Sequence, residues 1–258
     1  MPFEAGNIYH IYNRSIDRKP LFVQDRNYVF FLNKLDFYLS PFIDVFAWCL
    51  MNNHFHLMAR IKDLADFQEW YKLTNPGLSG GSKLTTFQKL PTLVNQKLPT
   101  LAEQKLPTLA EQKLPTLAEQ KLPTSKKLPT LQMPTYEDVP AIVSHAFQKM
   151  FQSYAMAFNR QQSRIGSLFQ SPLKRNLVDS EEYFTNLIYY IHANAQLHGF
   201  VDDFRLYPWS SYNRIFSTKP SKLQKEQVLN WFGGADRYQE YHSSNPRILD
   251  SGIVIEDD

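Results

Sequence analysis

Apolar positions along this chain alternate between a period of two and a period near 3.6. The β-rich run Ile8-Tyr9-His10-Ile11-Tyr12 predicts a strand over 6–15. Asp25 is placed to cap a helix over 25–39, whose apolar stripe is Val29, Phe30, Leu32, Leu35 and Phe37. A strand over 43–51, a turn at Asn52-Asn53 and a return strand over 54–61 form a hairpin. A second helix is predicted over 138–160, where Phe147, Met150, Phe151, Tyr154 and Phe158 recur near helical spacing. Residues 167–178 read as a further strand or hairpin arm. A third helix, capped by Asp179 or Ser180, runs to Leu197 and ends at Gly199. Short helices follow over about 222–231 and 236–242. The order β-α-β-β-α-β-α is an α+β pattern. It fits a ferredoxin-like split βαβ sandwich, an antiparallel sheet with helices on one face, plus extra C-terminal helices.

One segment breaks the pattern. Lys-Leu-Pro-Thr-Leu-x-x-Gln recurs from Lys89, Lys97, Lys105 and Lys113, with degenerate copies from Lys121 and Lys127. A proline every eight residues limits any helix to one or two turns, and helices that short are marginal alone. Phe87 is the only aromatic residue between 75 and 134, so little apolar surface is available to offset ordering. The expectation is a disordered or weakly structured insertion over 75–135, with a spacer or partner-binding arm as the rival. It would interrupt a discontinuous domain, 1–74 and 136–216, followed by a helical extension over 217–258.

Composition changes the charge picture. The 258 residues carry a formal +3, from 28 Lys+Arg against 25 Asp+Glu. Residues 89–135 hold seven of the lysines and three of the glutamates, so the remainder of the chain is at −1. A polycation that coats nucleic acid by bulk charge is therefore disfavoured, and any such site needs local placement of a few cations. Cys49 is the single cysteine, which excludes an intrachain disulfide and a cysteine metal cluster and suits a reducing compartment. No apolar run approaches the ~18 residues of a membrane span, and residues 1–7 lack the look of a secretory leader. The expectation is a cytoplasmic protein without a membrane partner.

Two constellations carry candidate chemistry. In His54-Phe55-His56, strand alternation places both imidazoles on one surface and sends Phe55 into the core. That is half of a metal site, or a pair of ordinary polar strand residues. Tyr190 and Asn194 are i and i+4 on the third helix, about 5–6 Å apart at Cβ. A phenol beside an amide oxygen suits covalent catalysis, and equally Tyr190 could flank the core stripe of Phe184, Leu187, Ile188 and Ile191. His10 and His192 read as structural or supporting residues, and Cys49 as a buried, inert thiol.

The run Met51-Asn52-Asn53-His54-Phe55-His56-Leu57 resembles the His-hydrophobic-His motif of the one-tyrosine single-strand DNA transposases, more narrowly the REP-associated tyrosine transposase branch. Tyr9-His10-Ile11-Tyr12-Asn13-Arg14, Phe158-Asn159-Arg160, Gly166-Ser167-Leu168-Phe169-Gln170, Tyr190-Ile191-His192-Ala193-Asn194 and Pro208-Trp209-Ser210-Ser211-Tyr212 agree with it in order. The family has Asn-Pro where this chain has Asn194-Ala195, and the repeats have no counterpart in it.

The resemblance implies that His54, His56 and Asn194 hold a divalent metal, Mg²⁺ or Mn²⁺, and that Tyr190 is the nucleophile. It implies cleavage and joining of single-stranded DNA through a 5′-phosphotyrosine, with DNA hairpins or palindromes as partners. Monomer and homodimer both stay open. Arg14, Arg18, Lys19, Arg160, Arg164, Gln170, Lys174 and Arg175 are the candidate DNA contacts, each alternatively a solvated surface group. Tyr9, Tyr12, Phe169 and Trp209 could stack bases or belong to the core. The rival functions are a non-catalytic single-strand binder on the same fold, and a metal hydrolase that uses water with no tyrosine intermediate.

Overall fold

A computed structural model describes residues 1–75 and 133–244. The chain divides into two compact units, Met1–Trp70 with Pro134–Asp258, and Tyr71–Met133. The expected insertion over 75–135 lies almost wholly outside the described residues, as do residues 245–258. Of the second unit, the described part is the end of one helix and its exit, where Asn75 donates from N and Nδ2 to Tyr71 O.

The first unit is built on four strands, β1 (Ile8–Arg14), β2 (Ile43–Leu50), β3 (His54–Ile61) and β4 (Lys174–Val178), in the order β2-β3-β1-β4 with every pairing antiparallel. This is the split βαβ order read from the sequence. The helices α1 (Asp25–Leu39) and α3 (Val139–Gln161) pack on one face, against Tyr9, Ile11, Phe55, Leu57, Ala59 and Ile61. A short helix, α2 (Leu64–Thr74), follows β3 and has no counterpart in the sequence reading.

The second face is also covered. Helix α4 (Glu181–Leu197) packs on it with α5 (Lys225–Phe232) and α6 (Ala235–Ser244), around Phe46, Ala47, Cys49, Met51 and Met58. The expectation of helices on one face thus holds for the two crossover helices, while α4 and the C-terminal helices form a third layer. Burial on both faces explains why β2 is apolar almost throughout rather than alternating. A bulge lies between Val45, opposite Ala59, and Ala47, opposite Met58. The extra residue, Phe46, packs on the α4 side against Phe184 and Trp231, at 5.7 and 4.9 Å between ring centroids.

Local chemistry sets the element ends. Asp25 is the first residue of α1 and does not cap it. The cap is Gln24, in a reciprocal capping box with Asn27. Strand β4 is shorter than the 167–178 expected, because Pro172 has no N–H for the ladder. Only a bridge at Ser15 and Phe169 remains of the earlier part. Ser180 caps α4 by accepting from Tyr183 N at 3.2 Å, and Glu181 and Glu182 complement the helix dipole. Ser180→Ala is expected to lower stability by about 1 kcal/mol in denaturant titration. An unchanged midpoint would show that the cap is redundant.

The far end of α4 closes in a Schellman turn. Gly199 (φ 69°) donates to Gln196 O and Phe200 to Ala195 O. The chain then returns along the outer edge of β2. Leu50 N donates to Trp209 O, Ser211 N to Trp48 O, and Gln224 N to Val45 O.

Candidate functional site

Pairing register decides which side chains share the α4 face. Arg14 lies opposite His54, Tyr12 opposite His56, and His10 opposite Met58. Tyr12 also faces Lys174, and His10 faces Asn176. Residues directly opposite one another in a sheet project to the same side. Arg14, Tyr12, His10, His54, His56 and Lys174 are therefore on one face, and Phe55 enters the core on the other, as its alternation predicts.

Helix α4 lies over this row. The Tyr190 ring is 5.6 Å from that of His56 and 6.1 Å from that of His10, edge-on to both. At the helix end the His198 ring is 5.0 Å from that of His54. Tyr190, Asn194 and His198 are successive turns of one helical face, so Asn194 lies between the two ring contacts. It is fully buried, and neither Oδ1 nor Nδ2 has a hydrogen-bond partner. An orphaned buried amide is costly, commonly by about 1–3 kcal/mol.

The imidazoles are tied in a defined way. Asn53 Nδ2 donates to Arg18 O at 3.2 Å, which turns its Oδ1 to His54 Nδ1 at 2.6 Å. His54 Nδ1 therefore donates to Asn53 Oδ1, which leaves Nε2 as the ring nitrogen available to a cation. His56 Nδ1 and His10 Nε2 are 2.9 Å apart and share one N–H. Burial holds the His56 pKa well below the ordinary value, reinforced by His10, His54, His198 and Arg14, and brings His10 down to about 3. Both rings are neutral at pH 7, the form that can ligate a cation.

Among the described residues, no three His, Cys, Asp or Glu side chains are grouped to hold a metal. The donor set here is of another kind: the imidazoles of His54 and His56 with the amide of Asn194. Its unsatisfied Oδ1 is an oxygen ligand of the type Mg²⁺ and Mn²⁺ accept, and Mn²⁺ also takes imidazole. On that ground the residues fit such an ion.

The expected DNA contacts do not all converge. Lys174 is on the site face, with Nζ 5.7 Å from the Tyr12 ring centre. Arg175 turns to the opposite face, over Phe3 at 4.3 Å, and donates to Met1 O. The two residues line a cleft of about 440 Å³ at the β4 edge with Tyr12 and Asn176. Arg18 and Lys19 are exposed beside the Asn53 turn. Asp17 and Arg18 hold left-handed backbone (φ 59° and 54°), a conformation costly for non-glycine residues. Arg160 is in the last turn of α3, in the layer on the other side of the sheet, and Arg164, in the loop just after it, donates to Ser167 O. Gln170 is fixed through its backbone, donating to Arg14 O and accepting from Asn13 Nδ2. Tyr9 is core.

His198 was not singled out by sequence reading, although its spacing from Asn194 repeats that of Asn194 from Tyr190. His192 points elsewhere on α4, into a buried chain. His242 Nδ1–H donates to Tyr238 O, so His242 Nε2 accepts from His192 Nδ1, and Ser211 Oγ–H donates to His192 Nε2 while accepting from Trp48 N. The chain ties α4 to β2 and α6, and accounts for Ser211 of the Pro208–Tyr212 motif.

No protein family and no curated protein matches the chain in sequence. Among solved structures it is similar to the REP-associated tyrosine transposase bound to a REP hairpin, at 10% identity and a TM-score of 0.47, over 85% of this chain and 86% of that one. At that distance the chemistry has to be argued from this chain's own residues. Among the described residues, no helix is long and apolar enough to cross a membrane.

Proposed function

We infer that the chain is a metal-dependent single-strand DNA endonuclease and strand transferase with Tyr190 as its nucleophile. One observation carries the reading: a tyrosine and an orphaned buried amide, one helical turn apart, lie over the strand histidines His54 and His56. In this reading Tyr190 Oη attacks a backbone phosphorus in line. The Oη–P bond forms and the P–O3′ bond breaks. The phenol loses its proton and the departing 3′-oxygen gains one, leaving a 5′-phosphotyrosine and a free 3′-OH. A second strand's 3′-OH can reverse the step, so joining needs no external energy source. His54, His56 and Asn194 would hold Mg²⁺ or Mn²⁺, which when bound would withdraw charge from a phosphate oxygen. His10 would keep His56 oriented. Lys174 at the β4 edge and Arg18 and Lys19 at the turn would contact phosphates on either side.

Tyr190 is only 2% exposed, so a strand reaches its hydroxyl only after the ring turns outward. That burial favours a second reading, a single-strand binder that does not cut. One assay separates the two. Labelled single-stranded hairpin DNA is incubated with the full chain and Mn²⁺, with and without excess EDTA, and resolved on a denaturing gel. The expected result is a protein–DNA adduct that EDTA suppresses by roughly 100-fold or more. Retention on a native gel without cleavage would support the binder, and cleavage without adduct a hydrolase.

A further inference from the structure

A second recess lies beyond the hairpin turn that precedes His54. It has a volume of about 590 Å³ and is walled by aromatic rings. Tyr28 stacks on Trp209 at 4.4 Å between centroids and 9° between planes, and on Phe22 at 4.4 Å and 18°. Tyr207, a further ring of the wall, donates from Oη to Leu50 O at 2.8 Å. Gln24, Asp25 and Asn52 also line the recess, so polar residues stand beside the rings. Val23 and Phe200 at its rim are 51% and 42% exposed.

We propose that this cleft is a nucleobase subsite, which takes one unpaired base of a single strand on the ring of Trp209, with Tyr28, held between Trp209 and Phe22, backing that ring. Planar rings with hydrogen-bonding edges match a wall of aromatic rings with polar residues nearby. Continuity with the site favours a strand over a proline-rich peptide. Asn52 is two residues from His54, within about 7 Å along the chain. Phe200 follows His198, whose ring touches that of His54. Exposed Arg18 and Lys19 run directly into Pro20 of the cleft, and Asn53 joins that loop to His54. A backbone whose phosphate sits at His54 can thus place a neighbouring base in the recess and a neighbouring phosphate on Arg18 or Lys19. The subsite rests on the single-strand reading above, and adds a place where base identity could be sensed away from the reacting bond.

The test uses rim residues whose exposure spares the fold. Binding of a fluorescein-labelled single-stranded 12-mer to the full chain is followed by anisotropy, for wild type, Val23→Glu and Phe200→Glu, with thermal melts as the folding control. Each variant is expected to bind about 10- to 100-fold more weakly at an unchanged melting temperature. One abasic position in the oligonucleotide should weaken wild type similarly, and weaken the variants no further. A 5-iodouracil base at that position should photocross-link to Trp209. Wild-type affinity in both variants, or abasic losses that persist in full in them, would overturn the subsite and leave the single-strand reading standing. Failure of wild type to bind any oligonucleotide would remove both. A proline-rich peptide that binds the recess while the oligonucleotide does not would reassign it.

Discussion

Tyr190→Phe is expected to lower the yield of covalent protein–DNA adduct by at least roughly 1000-fold, while single-strand affinity stays within about threefold of wild type. The change removes one oxygen. The phenyl ring keeps its edge-on contacts with His56 and His10, at 5.6 and 6.1 Å, so the packing of α4 on the sheet is retained. What is lost is the only atom of the side chain able to form an ester with phosphorus. Denaturing gels of labelled hairpin DNA measure the first quantity and anisotropy the second. An adduct that forms undiminished in the phenylalanine variant would assign the linkage to another residue and sink the proposed role of Tyr190. Loss of binding together with the adduct would point to a fold defect, which a thermal melt would reveal.

Acidification is expected to destabilise the protein steeply between about pH 6.5 and pH 5. His10 and His242 are buried, and burial lowers their pKa to about 3 and about 4. His56 and His192 are lowered in the same direction by the same cause. The unfolded chain takes up these protons near pH 6.5, whereas the folded chain resists them. Between those limits the unfolded state binds more protons, so stability is full above about 6.5 and falls as pH drops. At pH 5, about 1.5 pH units below the unfolded value, His10 and His242 each account for about 2 kcal/mol. Roughly 4 kcal/mol is a large part of a typical domain's 5–15 kcal/mol. Urea titrations at pH 7.5, 6 and 5 measure the slope. A stability independent of pH across that range would mean that the buried imidazoles do not stay neutral in the fold.

Local signals carried much of the fold. The hairpin strand His54–Ile61 has the bounds read from its sequence, because the Asn52-Asn53 turn and the alternation of Phe55 and Leu57 are both short-range features. Helix α2 escaped because Phe67 is its one buried residue, which leaves no apolar stripe to read. The bulge at Phe46 was illegible because it exists only relative to β3. The site shows the same division. His54 with His56, and Tyr190 with Asn194, follow from periodicity within one element. The assignment of His10 and Arg14 to the same face needs the β1–β3 register, which pairs residues forty or more positions apart. His198 was within reach of spacing alone, one further turn along the ladder. The stack of Tyr28 on Trp209 joins distant segments, and no local pattern announces it.

The outer edge of β2 has a consequence for unfinished chains. This eight-residue strand is buried along its whole length, and residues 209–211 and 223–224 occupy its free donors and acceptors. Until synthesis has passed that point, the edge is an unpaired, apolar template of the kind that recruits other chains into β-aggregates. A polypeptide stopped short of Trp209, by a nonsense mutation or by proteolysis, would therefore self-associate as well as lack its recess. The cover of this edge comes from a segment made late, more than 150 residues after the strand it protects.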